Sequence, residues 1–154
     1  MLEAFSKAPD FTLIDQNGKK VTLSEFEAKK NVVLAFYPFD WSPVCSDQIS
    51  FYNEMHSLFE KRDAIVIGIS VDSMFCHTAF AENRKLTLPL LADFEPKGEV
   101  AREYGVYNNK EGHASRALFV IDKNRTIVQS YLSPDSENPG ADGILEALDT
   151  MNKA

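Results

Sequence analysis

The sequence predicts an α/β domain: a central mixed β-sheet flanked by helices, with an extra β-hairpin at the N-terminus. Two nearly continuous apolar runs, from Asn31 to Tyr37 and from Ile65 to Val71, read as strands buried on both faces. Between them Ile49, Tyr52, Met55 and Phe59 recur at spacings of three and four, one apolar face of a helix reaching about Lys61. Downstream, Ala117 to Ile121 and Thr126 to Val128 flank Asp122-Lys123-Asn124-Arg125, the pattern of a hairpin. A chain of 154 residues fits a single domain, 1–154.

Taken in order, Phe11 to Ile14 reads as a short strand, Asp15-Gln16-Asn17-Gly18 as a turn by its Asn-Gly step, and Val21 to Leu23 as the returning strand. Ser24 with Glu27 three residues on has the form of a capping box that opens a short helix. The runs at 31–37 and 65–71 with their intervening helix make a βαβ unit with a right-handed crossover. A helix is expected from Phe75 to about Lys85, a strand from Leu88 to Ala92, and a helix from Pro96 to Tyr104 that stops at Gly105. After the second hairpin a last helix runs from about Ala141 to Met151. A βαβ half followed by a ββα half is the thioredoxin-like plan.

Composition narrows the function. Hydrophobic residues make up 44% and charged residues 25%, which excludes a disordered chain and a coiled coil. No apolar run approaches the roughly 18 residues of a membrane helix. Met1 to Lys7 lacks the basic start and apolar stretch of a signal peptide, so a cytoplasmic location is expected. A net charge of -7 argues against nucleic acid as a partner. Two cysteines, Cys45 and Cys76, are too few for a disulfide scaffold or a four-cysteine zinc site. No phosphate-binding glycine motif occurs, and Cys76-His77 with Cys45 is a weak metal pattern, so no cofactor and no metal are expected.

The segment from Tyr37 to Gln48 joins the C-terminal end of a buried strand to a helix, the edge where active sites gather in open α/β sheets. Ser42 is a favoured N-cap, Pro43 a favoured N1 residue, and Cys45 then falls at N3. There the helix N-terminus and its free N–H groups favour an anionic sulfur. Helix logic alone equally allows a small, buried, inert cysteine.

Pro38-x-x-x-Ser42-x-x-Cys45 resembles the peroxiredoxin signature of proline, threonine or serine, and reactive cysteine. The segments Ala8-Pro9-Asp10-Phe11, Val33 to Pro38, Gly68 to Ser73, Pro89 to Asp93 and Arg116 to Asp122 resemble the same family, so the likeness spans nearly the whole chain. The length is similar to that of the alkyl hydroperoxide reductase E and bacterioferritin comigratory protein branches. The resemblance implies a thiol-dependent peroxidase in which Cys45 attacks a hydroperoxide and becomes a sulfenic acid. It implies that the Ser42 hydroxyl, the Cys45 N–H and the Arg116 guanidinium hold the peroxide oxygens, and that Pro38 walls the pocket. Without the resemblance, Arg116 reads as a surface strand residue in a salt bridge. Serine replaces the commoner threonine at 42, and Gln48 stands where glutamate is frequent.

Cys76 lies 31 residues after Cys45, near the start of the next helix. It is the candidate resolving cysteine, with a passive cysteine as the alternative. A disulfide needs Cα atoms within about 7 Å. The two helices are expected on opposite sheet faces, so bridging requires an unwound first turn. His56 lies on the Cys45 helix roughly 16 Å away, too far to act as its base. The resemblance implies a hydroperoxide substrate, a reductant that is thioredoxin, a glutaredoxin-like protein or a low-molecular-weight thiol, and a homodimer, with no membrane partner. A redox sensor or holdase using the same cysteine is the alternative function.

Overall fold

A computed structural model describes residues 1–153; residue 154, the end of the expected domain, lies outside the described residues. Among the described residues there are nine strands and five α-helices. The chain begins with β1 (Thr12–Ile14) and β2 (Lys20–Thr22), then a 3-10 turn over Leu23–Phe26. β3 (Asn31–Phe36), α1 (Pro43–Glu54), α2 (His56–Glu60) and β4 (Ala64–Ser70) follow. Next come α3 (Met74–Arg84), β5 (Leu90–Ala92), α4 (Glu99–Glu103) and the two-residue strands β6 (Tyr107–Asn108) and β7 (His113–Ala114). β8 (Ala117–Ile121), β9 (Ile127–Leu132) and α5 (Asp142–Asn152) complete it. The main sheet has the order β2-β1-β5-β4-β3-β8-β9. β3, β4 and β5 are parallel, while β1 on β5, β8 on β3 and β9 on β8 are antiparallel. This is the mixed sheet, with its N-terminal hairpin, that the sequence predicts.

All six residues of β3 are buried, and their alternation splits the core. Val32, Leu34 and Phe36 face a layer with Val100 and Ala101 of α4, Tyr104 and the N-terminal Phe11. Val33, Ala35 and Tyr37 face Cys45, Ile49 and Tyr52 of α1, Phe80 and Ala81 of α3, and Ile144 and Leu148 of α5. Thus α1 and α3 lie on the same face, which corrects the expectation of opposite faces. The cause is topological: β3, β4 and β5 step across the sheet in one direction, and successive crossovers of one hand then return on one side.

Other elements depart locally. The Ser24–Glu27 capping box does not form: Thr22 is the N-cap without a side-chain bond, and the Ser24 N–H donates to the Asp10 carboxylate. The helix after Cys45 breaks at Met55, whose φ of -87° and ψ of 10° leave the helical region. α4 starts at Glu99 rather than at Pro96, and Gly105 follows it with φ +71° as the stop signal required.

Candidate active site

α1 begins where the sequence places it. Ser42 is the N-cap with extended backbone, Pro43 is N1, and Cys45 sits in the first turn, fully buried. Ser42 makes no side-chain cap; its hydroxyl donates to the Phe39 carbonyl at 3.2 Å. The Ser42 side chain therefore caps none of the first-turn N–H groups of α1, and its carbonyl accepts only the Ser46 N–H at 2.8 Å. Trp41, just before it, has φ +73°, a conformation disfavoured for a bulky residue. Its ring packs edge-on against Phe80 of α3 at 5.3 Å between centroids, which secures the loop from the side. Pro38 is buried at the end of β3, between buried Tyr37 and half-exposed Phe39.

Strand register delivers Arg116 to the same place. Phe36 pairs with Ala117, so Arg116 stands across from the end of β3, where the loop to Cys45 departs. Arg116 is 1% exposed, and that burial overturns the surface reading. Its Nη2 donates to the Cys45 Sγ at 3.2 Å and to the Asp135 carbonyl at 2.8 Å. Its Nη1 donates to the Gln48 Oε1 at 2.6 Å and its Nε to the Asp135 carbonyl at 3.3 Å. The Ser133 N–H bonds the Arg116 carbonyl, which carries the 133–140 loop over the guanidinium. Among the described residues no carboxylate pairs with this guanidinium, so its charge faces the sulfur without a counter-ion.

Gln48 is held in turn. Its amide Nε2 donates to the Tyr52 hydroxyl at 3.1 Å, and that hydroxyl donates to the Gly140 carbonyl at 2.8 Å. Burial pushes the Tyr52 phenol up to about 12, which keeps it a neutral donor. The donor order Tyr52 to Gly140 and Gln48 to Tyr52 leaves the Gln48 oxygen facing Arg116. The roles of the Asp135 and Gly140 carbonyls had no signal in the sequence, because a backbone oxygen carries no residue signature.

Cys76 is the third residue of α3, the helical position that Cys45 holds in α1, but its surroundings are reversed. Ser73 caps α3 by accepting the Cys76 N–H at 3.2 Å. The Cys76 Sγ donates to the Asp72 Oδ1 at 3.8 Å. Burial, then the Asp40 and Asp72 carboxylates, push the thiol up to about 11. Both cysteines are free thiols.

Beside Cys76 lies a buried polar network that the sequence did not announce. Asp40 accepts from the Tyr37 hydroxyl at 2.6 Å and meets His77 Nδ1 at 2.6 Å. His77 Nε2 lies 3.0 Å from the Leu91 carbonyl, which only accepts, so Nε2 carries a proton and one more is shared with Asp40. Asp40, Asp72 and His77 bring one donor atom each within 4.8 Å, the only such cluster able to hold a metal among the described residues. Hydrogen bonds within the protein engage those atoms. His56 opens α2, exposed and paired with Glu60 at 3.3 Å, with no part in the site.

Comparison with known proteins gives the family and the fold. The AhpC/TSA family model matches residues 5–130. The chain is 39% identical over 127 residues to alkyl hydroperoxide reductase E of Mycobacterium tuberculosis, covering 82% of this chain and 83% of that protein. It is 37% identical over 147 residues to the chloroplastic peroxiredoxin Q of Sedum lineare, covering 95% and 77%. The crystal structure of peroxidoxin BcpB from Mycobacterium tuberculosis superposes with a TM-score of 0.90 at 31% identity, covering 98% and 99%.

Proposed function

From the membership of this chain in the AhpC/TSA family, the peroxiredoxins, which are thiol-dependent peroxidases, we propose that Cys45 is the thiol that reduces hydrogen peroxide and organic hydroperoxides. The observation that carries the reading is the Arg116 Nη2 held 3.2 Å from the buried Cys45 Sγ. A guanidinium cannot lose its charge, so it stabilises the thiolate at any physiological pH. In the reaction the Cys45 sulfur attacks one peroxide oxygen, the O–O bond breaks, and the other oxygen leaves as alkoxide or hydroxide.

The charge that moves from sulfur to the leaving oxygen needs fixed donors. Arg116 supplies one. The Cys45 N–H, left without the Ser42 cap, supplies a second. The Ser42 hydroxyl supplies a third by turning from the Phe39 carbonyl to the peroxide. Buried Pro38 walls the pocket and keeps water from the sulfur. Water exclusion strengthens each of these contacts.

The sulfenic acid on fully buried Cys45 is then resolved by Cys76 as an intramolecular disulfide, with an external thiol as the alternative. Thioredoxin, a glutaredoxin-like protein or a small thiol completes the cycle. The working unit is a homodimer in the cytoplasm. Peroxide consumption with a thiol reductant tests the reading: Cys45→Ser abolishes turnover. A Cys45→Ser protein that still consumes peroxide at the wild-type rate overturns it.

A further inference from the structure

Cys45 and Cys76 share a helical position but not a charge environment. A guanidinium faces one and carboxylates face the other. Cys76 therefore starts as a thiol and must shed a proton before its sulfur can attack. Two carboxylates, Asp40 and Asp72, face the thiol, and the contact to Asp72 has the geometry of a hydrogen bond. Asp72 Oδ2 is fixed by the Asp40 N–H at 2.8 Å and the Ser70 hydroxyl at 2.6 Å. That leaves Asp72 Oδ1 to receive the Cys76 thiol at 3.8 Å. Both Asp40 oxygens already hold strong short contacts, to the Tyr37 hydroxyl and to His77 Nδ1, whereas Asp72 Oδ1 has only the thiol, so Asp72 is the freer acceptor.

We propose that Asp72 is the general base of the resolving step, taking the Cys76 proton as Cys76 attacks the sulfenic acid on Cys45. The proposal rests on the reading that Cys76 resolves Cys45. The Sγ–Sγ bond forms as the S–O bond of the sulfenic acid breaks. The Cys76 sulfur is oxidised and the Cys45 sulfur reduced. The proton passes from Cys76 to Asp72, and the departing hydroxide recovers it and leaves as water.

The surroundings suit the role. Burial is the main cause that raises Asp72 above the usual carboxylate range, with the Asp40 charge adding to it. A raised carboxyl is a stronger base, closer in proton affinity to the thiol it serves. The charged and titratable groups facing the pair are Asp40 and Tyr37 from the end of β3 and its loop, and His77 from α3.

The experiment treats reduced protein with one equivalent of hydrogen peroxide. It follows Cys45 oxidation and Cys45–Cys76 disulfide formation separately, in wild type, Asp72→Asn, Asp72→Glu and Cys76→Ser, from about pH 6 to 9. Asp72→Asn is expected to slow disulfide formation roughly hundredfold at neutral pH relative to the first step. Its rate then climbs about tenfold per pH unit, as unaided thiol ionisation does, while wild type stays nearly flat. Asp72→Glu, which keeps a carboxylate, recovers part of the rate and the flat profile. Asp72→Asn resolving as fast as wild type, or faster because a repelling charge is gone, overturns the proposal. So does an Asp72→Glu protein as slow as Asp72→Asn. A wild type that forms no Cys45–Cys76 disulfide overturns the resolving reading itself, and the proposal with it.

Discussion

Arg116 Nη2 stands 3.2 Å from Cys45 Sγ across 71 residues of sequence. Neither residue reaches the other through its own element. β8 brings the arginine to the end of β3 by antiparallel register, and the loop from β3 brings the cysteine into the first turn of α1. The guanidinium is fixed by three further hydrogen bonds, one to Gln48 and two to the Asp135 carbonyl, and the Ser133 N–H holds the Arg116 backbone carbonyl.

Arg116→Lys is expected to lower the rate of Cys45 oxidation about 10²–10³-fold, the usual loss on removing one fixed donor to a developing anion. A single ammonium keeps the charge but cannot serve Cys45, Gln48 and Asp135 together. Stopped-flow fluorescence of Trp41, the only tryptophan, reads the rate directly. A lysine variant as fast as wild type removes the guanidinium geometry from the account.

The two serines ahead of the two cysteines are expected to separate stability from activity. Ser73 caps α3, so Ser73→Ala costs about 1 kcal/mol in urea unfolding. Ser42 makes no cap, so Ser42→Ala loses less stability and instead slows reaction with peroxide. The reverse pattern in the two variants would assign the caps wrongly.

Tyr52→Phe leaves the Gly140 carbonyl without its side-chain donor and the Gln48 amide without its acceptor. The expected cost is about 1–3 kcal/mol, seen as a lower urea midpoint at unchanged slope. A slower reaction with peroxide should accompany it, since the Gln48 oxygen is then free to turn from Arg116. Loss of stability with full activity would limit the tyrosine to a structural role.

Cys76 has a pH signature. The folded thiol titrates near 11 against an ordinary 9.0, so the folded state favours the protonated form. Its contribution to stability is whole below pH 9 and is lost as pH rises toward 11. At neutral pH the two-unit difference means roughly hundredfold less thiolate, so alkylation of Cys76 in a Cys45→Ser background should be slower than in the urea-unfolded chain by about that factor. Equal rates in the two states would show that the carboxylates do not hold the thiol.

Much of this arrangement is legible in the sequence, for identifiable reasons. The apolar runs of β3 and β4 are long enough to declare themselves, and Ser42-Pro43 marks the start of α1 before any contact is known. β6 and β7 escape notice because two-residue strands carry no periodicity; they exist only through the pairing of Tyr107 with Ala114 and Asn108 with His113. The same-face placement of α1 and α3 is a property of strand order, which local pattern does not contain. Arg116 comes into view through family resemblance alone, since an arginine at a strand start looks exposed until the 133–140 loop covers it. The Asp40–His77 pair is two ordinary polar residues in sequence, and only the packing of α3 against the β3–α1 loop buries both.

One site-resolved measurement decides whether Cys45 is the peroxide-reducing thiol. Reduced Cys76→Ser protein is mixed with one equivalent of hydrogen peroxide, quenched over milliseconds to seconds, and mapped by mass spectrometry with a sulfenic-acid trap. Sulfenic acid is expected on Cys45 within that time, and in wild type its replacement by a Cys45–Cys76 disulfide. Loss of the Cys45 thiol no faster than that of free cysteine would contradict that role.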